Sequence, residues 1–146
     1  MTNDFSSSPG RKLIQSERIV VGLVILVIPL VFGTAICLTP NPAGYGTHQQ
    51  LGLPDCAILS LTGRVCPHCG LTTSFAWFSR GEWVASWNAN PAGWMLACSL
   101  LMMWPWLILV IIQGFWLGIQ EPGRWCIRGF AGWLIASFLQ WIFRFF

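Results

Sequence analysis

The chain has 146 residues, of which 55% are apolar and 9% charged, with a formal net charge of +3. A soluble domain carries about 25% charged residues, so this composition cannot cover a water-facing surface and most of that surface has to face lipid. The small, scattered charge excludes nucleic acid as a partner, and six cysteines are too few for a disulfide-stapled miniature fold.

Residues 1–18 read as a disordered cytosolic tail. Ser6–Gly10 is rich in turn formers, and Arg11, Lys12 and Arg18 precede the first apolar run. A cleaved leader would have an apolar core of about 7–15 residues and then a small-residue cleavage site. The run Ile19–Leu38 is longer and lacks such a site, so it reads as an uncleaved first span, reaching about 30 Å at 1.5 Å per residue. Pro29 predicts a kink that neighbouring helices can accommodate, and Thr39-Pro40-Asn41-Pro42 ends the run.

A second apolar run follows Asn90-Pro91 and continues to about Leu117. Asn90 is a good N-cap and Pro91 suits the first helical turn, where its missing N–H is not needed. Pro105 predicts a second kink, and Trp94 and Trp116 fall where the aromatic belts of a bilayer would be. After the polar turn Gln120–Arg124 comes the run Gly129–Phe146, flanked by Arg128. Its apolar residues go all the way round rather than to one face, which favours a span over an interfacial helix. Arg144 can snorkel to the headgroups, and Gly132 with Ala136 forms a small-residue pair where another helix can approach.

The expected fold class is therefore an all-α integral membrane protein. Its membrane domain covers residues 19–146, with spans at about 19–38, 91–117 and 127–146 and a cysteine-containing loop over residues 39–90. Orientation follows the Lys and Arg residues of short connections. Arg11, Lys12, Arg18, Arg124 and Arg128 fall on one side and Arg64, Arg80 and Arg144 on the other. This places the protein in the cell (inner) membrane with a cytoplasmic N-terminus and the loop outside. The expected partners are the lipid bilayer and other membrane proteins or further copies of the chain.

The loop is too long for a turn and too apolar for a linker. Ala43–His48 is flexible and turn-like, while Cys56–Leu61 and Leu71–Phe78 are apolar enough to lie in or against the membrane. Trp83, Val84 and Trp87 recur at the spacing of one helix face. Short interfacial or re-entrant helices explain these patterns, and so does ordinary packing onto the bundle.

Three cysteines in the loop, Cys56, Cys66 and Cys69, are spaced C-x9-C-x2-C, with His68 between the last two and His48 upstream. Cys37, Cys98 and Cys126 fall in or beside spans, where cysteine is commonly a small apolar residue. Three chemistries compete for the loop. Cys66-Pro67-His68-Cys69-Gly70 has the form of a zinc knuckle, two thiolates on a tight turn with Gly70 free to turn left-handed. Cys56 plus His68, or alternatively His48, would complete four ligands, and zinc is the candidate cofactor. A membrane thiol–disulfide oxidoreductase using Cys66 and Cys69 is the second reading, because Cys-Pro-His-Cys matches the dipeptide arrangement of strongly oxidising thiol oxidases. Those enzymes need a four-stranded sheet and a cis-proline loop that this loop cannot supply. The third is a disulfide or buried thiols that merely fix the loop, although three cysteines leave one over.

At these residues the chain resembles an uncharacterised bacterial membrane-protein family, domain of unknown function 2752. The residues that carry the resemblance are Cys56, then Thr62-Gly63-Arg64-Val65-Cys66-Pro67-His68-Cys69-Gly70-Leu71-Thr72, then Gly81 and Asn90-Pro91, over roughly Cys56–Ile112. The chain departs from the pattern at Thr73, where the family usually carries arginine. A role that needs a cation beside the turn would fall to Arg64 or Arg80. The resemblance implies a small multi-pass membrane protein and no established activity. The expectation is a cysteine loop that forms a structural metal or disulfide site and presents a partner surface, with no catalytic residue assigned.

Overall fold

The structure, a computed structural model, describes residues 10–145, with side chains through residue 143. The Ser6–Pro9 part of the expected tail and the Arg144 side chain expected to snorkel lie outside the described residues. In chain order the elements are α1 (Gln15–Cys37), a 3₁₀ turn (Thr47–Leu51), α2 (Ala57–Thr62), α3 (Leu71–Phe78), α4 (Trp83–Ala89), α5 (Pro91–Gln113) and α6 (Pro122–Phe145). Three helices are long and apolar enough to cross a membrane: α1, α5 and residues 122–143 of α6. Within the most apolar stretch of each, only 17%, 17% and 6% of the residues are buried by protein, so the remaining apolar surface needs lipid.

The span boundaries differ from those expected. α1 starts at Gln15, four residues before the apolar run, because Glu17 reaches back to accept a hydrogen bond from the Ile14 N–H at 3.2 Å and also pairs with Arg11. A carboxylate at the third helical position satisfies an otherwise orphaned donor of the first turn. Ahead of α1, part of the stretch read as tail is paired: Leu13 N–H donates to Gly114 O at 3.0 Å and Trp116 N–H to Arg11 O at 2.9 Å. That pairing explains why α5 ends at Gln113 rather than near Leu117. Gly114 turns left-handed at φ +77°, and the chain beyond it lies along Arg11–Leu13. α6 begins at Pro122 rather than near 127, with proline in a first turn where it costs no hydrogen bond.

α1 and α5 form an apolar pair, with Val21 and Ile28 packed among Leu107 and Val110. Both helices carry an internal proline. Pro29 has no N–H for the carbonyl four residues before it, which in lipid would be costly. That carbonyl, Ile25 O, instead accepts a hydrogen bond from the Trp104 indole of α5 at 2.9 Å.

α3 is wedged among α1, α4, α5 and the 3₁₀ turn. Phe75 and Phe78 hold Phe32 of α1 at ring-centroid distances of 5.7 and 6.1 Å. Gly93 lets α5 come close, because a Cβ there would lie 2.9 Å from the Ser74 side chain. The seam between α3, α4 and α5 is polar and paired: Ser74 and Ser86 hydroxyls are 2.9 Å apart, Ser74 also donates to Asn90 O at 3.1 Å, and Ser86 to Ser74 O at 2.8 Å. Arg80 closes the C-terminal end of α1. Its guanidinium donates to Ala35, Ile36 and Leu38 carbonyls and back to Ala76, which matches a cation to the negative end of the helix dipole. Short helices are present between the first two spans, as expected, in the form of α2, α3 and α4, and Trp83, Val84 and Trp87 share the exposed side of α4.

Candidate metal centre

The sequence between α2 and α3 folds as a tight turn. Cys69 N–H donates to Cys66 O and Leu71 N–H to His68 O, both at 3.1 Å. Gly70 follows at φ +89°. No other residue fits there, since a Cβ at Gly70 would lie 2.4 Å from Gly44 O and 2.8 Å from Ala89 O. The turn therefore sits with its backbone against the end of α4 and against the Ala43–His48 region.

Asn90 is the post on which the turn hangs. Its side chain is fully buried. The carboxamide oxygen accepts from Gly93 N–H at 3.0 Å, as the N-cap of α5. The amide nitrogen donates to Pro67 O at 3.2 Å and to Cys69 O at 3.0 Å. One side chain thus uses both ends, capping a span and fixing both halves of the Cys-Pro-His-Cys turn. α6 holds the same turn from the other side. The Trp141 indole donates to Val65 O at 2.7 Å, the Trp133 indole donates to Ala92 O at 2.9 Å, and the Trp133 ring lies 5.6 Å from His68.

Cys56, at the N-terminal boundary of α2, completes a group of three. The sulfurs of Cys56, Cys66 and Cys69 all lie within 4.8 Å of one another. A tetrahedral zinc site with Zn–S of about 2.3 Å has sulfurs about 3.8 Å apart, so closure by about 1 Å or less converts this cluster into three corners of such a site. None of the six cysteines is disulfide-bonded. Cys37, Cys98 and Cys126 stand outside the group, as do both histidines. His68 is turned against Trp133, and His48 Nε2 lies 3.1 Å from Pro54 O. Because a carbonyl only accepts, that nitrogen carries the proton and Nδ1 of a neutral ring is left as an acceptor.

The three thiols are not equivalent. A hydrogen bond from the Leu59 backbone N–H holds the Cys56 thiol below its ordinary range, against the opposing pull of desolvation, and Cys69 and Cys66 act in the same direction. Burial pushes the Cys69 thiol up to about 12, with Cys66 beside it adding to the shift. Burial thus opposes the charged form at Cys69, and a divalent cation beside the sulfurs would supply the counter-charge that favours it.

The cluster opens onto a cavity of about 510 Å³ to which His48, His68 and Asp55 also contribute. Arg80, a candidate for the cation missing at Thr73, is committed to the end of α1. Thr73 itself is fully buried, its hydroxyl 2.8 Å from that of Thr47, so the position joins α3 to the 3₁₀ turn. Reading the sequence alone gave no role to Thr47, Ser74, Ser86, Trp133 or Trp141. The signal available in the sequence is Asn90, an N-cap and part of the family pattern, lying just ahead of a span with the cysteine turn upstream.

No curated protein and no solved structure matches the chain. A family model does, and its match begins at Cys56, the first cysteine of the cluster, and runs through the turn and Asn90 into α5. Residues 56–104, 49 of the 146, match the family described as protein of unknown function DUF2752.

Proposed function

We propose that Cys56, Cys66 and Cys69 bind one zinc ion as thiolates, and that the ion locks the outer loop of a small multi-pass membrane protein. The observation that carries this is the convergence of three sulfurs within 4.8 Å from two segments nine residues apart. α2 buries none of its residues and packs against no other helix, so a bound Cys56 sulfur would add to the ties that Gln49 makes with Asp55, and His48 with Pro54 O, just ahead of it. Three soft thiolates favour zinc over hard cations. His68 and His48, the candidate fourth ligands, both face the cavity beside the cluster, so the fourth position lies on that side.

The role is structural. The locked loop presents Ile58 and Leu61 of α2 and Trp83, Val84 and Trp87 of α4 as an exposed apolar surface, suited to the lipid headgroup region or to another membrane protein. The inner membrane is the location this reading favours, with the N-terminus in the cytoplasm. The pairing of Arg11–Leu13 with Gly114–Trp116 supports that orientation, because it brings the basic N-terminal segment to the side of the α5–α6 connection and its Arg124 and Arg128. Thiol–disulfide exchange at Cys66 and Cys69 has less support. The thiol held low is Cys56, outside that pair, and Cys69 is pushed the other way.

Purified, detergent-solubilised protein is expected to carry about one zinc per chain by elemental analysis, and Cys66→Ser protein to carry none. Metal-free wild-type protein, refolded or isolated with zinc present throughout, would sink the reading.

A further inference from the structure

We infer that the fourth coordination position is left open to the cavity and takes a small thiol from solution, completing a four-sulfur shell of which the chain supplies three. This rests on the zinc reading above and adds a ligand to it. Structural zinc sites close all four positions with protein side chains, whereas sites with three protein ligands leave the fourth to water or substrate. Here no fourth His, Cys, Asp or Glu joins the group among the described residues. Asp55 is held by the Gln49 side chain and His68 packs on Trp133, while His48 uses Nε2 on Pro54 O and keeps Nδ1, outside the group of three sulfurs.

The cavity is large enough for a guest. Its volume of about 510 Å³ lies within the range of about 300–1,000 Å³ typical of small-molecule pockets. Its lining selects the class of guest. Leu53, Leu59 and Leu71 make apolar walls, and no Lys or Arg lines it among the described residues. A phosphate or carboxylate would therefore find no cation to pair with, next to three thiolates whose charge exceeds that of the zinc by one. A thiol suits the site because it enters neutral, presents a soft donor to a soft centre and has an apolar stem for the leucines. On binding, the Zn–O bond to water breaks and a Zn–S bond forms. The S–H proton leaves to solvent through the mouth of the cavity.

Cobalt-loaded full-length protein in detergent reads this directly, because the sulfur-to-cobalt charge-transfer band grows with the number of thiolates bound. β-Mercaptoethanol is expected to raise the band saturably by about one third, as three sulfurs become four. Ethylene glycol, the same molecule with oxygen for sulfur, is expected to leave it unchanged. Thr72 lines the cavity from α3 and is not one of the three sulfur ligands, so Thr72→Phe, which takes up cavity volume, should keep the basal band and lose the thiol response. Cobalt uptake with no response to the thiol overturns the inference and leaves the zinc reading standing. So does a basal spectrum altered by His48→Ala, His68→Ala or Asp55→Ala, because the chain then supplies the fourth ligand itself. A chain that takes up no cobalt overturns the zinc reading and this inference with it.

Discussion

On one side of the cysteine turn, Thr47, Thr73, Ser74, Ser86 and Asn90 are buried almost completely, and each side chain has a hydrogen-bond partner. On the other side, Cys56 arrives from a helix that buries none of its own residues, with Ile58 and Leu61 exposed. Polar side chains are tolerable in a dry junction only when paired, and once paired they specify one arrangement. The α3–α5 side therefore holds the turn by shape and hydrogen bonding. The α2 side has no such junction and is tied by side-chain bonds at its flanks, Gln49 to Asp55, His48 to Pro54 O and Trp141 to Val65 O, and by what binds the sulfurs. A family match that spans both sides fits a design in which the rigid half positions two ligands and the loose half delivers the third.

The largest effect is expected on the rigid side. Asn90→Ala removes one cap and two donors at once, leaving Gly93 N–H and the Pro67 and Cys69 carbonyls without that partner. With about 1–3 kcal/mol for each of the three buried groups so orphaned, a loss of at least about 3 kcal/mol is expected in thermal or denaturant unfolding in detergent. Asn90→Ser keeps a capping oxygen and should recover about 1 kcal/mol of it, without restoring the turn. An Asn90→Ala protein as stable as wild type would break the contrast, since the turn would not depend on the junction.

A smaller effect tests whether the same pairing rule holds between the spans. Trp104→Phe leaves Ile25 O without the donor that stands in for Pro29. The change should be costly in the wild-type chain. In a Pro29→Ala background the new N–H can serve Ile25 O, and the cost should be about 0.6 kcal/mol smaller, the usual size of such a bond between membrane helices. Packing lost with the indole is common to both backgrounds and cancels. Equal costs in the two backgrounds would mean that the indole contributes packing alone.

The three spans were legible because apolar runs of the right length have few alternatives in a chain with 9% charge. Their ends were less so. Glu17 lengthens α1 through a contact with the backbone just ahead of it, and Gly114 shortens α5 through a pairing with residues a hundred positions away. Periodicity carries neither. At the site, the spacing of Cys66 and Cys69 was readable as a turn, and Cys56 could be added because it shares the loop. The junction was not readable, because serine and threonine in a loop look the same whether they face water or each other. The histidines were legible only as neighbours of the cysteines: the sequence sets His68 between two of them, and the structure adds that its ring packs on Trp133 while lining the cavity beside the sulfurs.

The smallest global effect, and the one that sharpens the contrast most, is expected from Cys56→Ser. The substitution removes the sulfur that ties α2 to the turn, while Cys66 and Cys69 remain fixed through Asn90 and Gly70. Because α2 packs against no other helix, its release exposes little new apolar surface, and the unfolding midpoint should move by no more than about 0.5 kcal/mol in stability. Locally the change should be large. The Ser60 and Gly63 amides, bonded to Cys56 O and Leu59 O at 2.9 Å, should lose hydrogen-exchange protection, as they should in wild-type protein stripped of metal. The Ser74 and Ser86 amides of α3 and α4 should keep theirs, because local opening follows the density of packing around each segment. Loss of protection across α3 and α4 as well would mean that the cluster supports the junction, and the order of dependence between the two halves would be reversed.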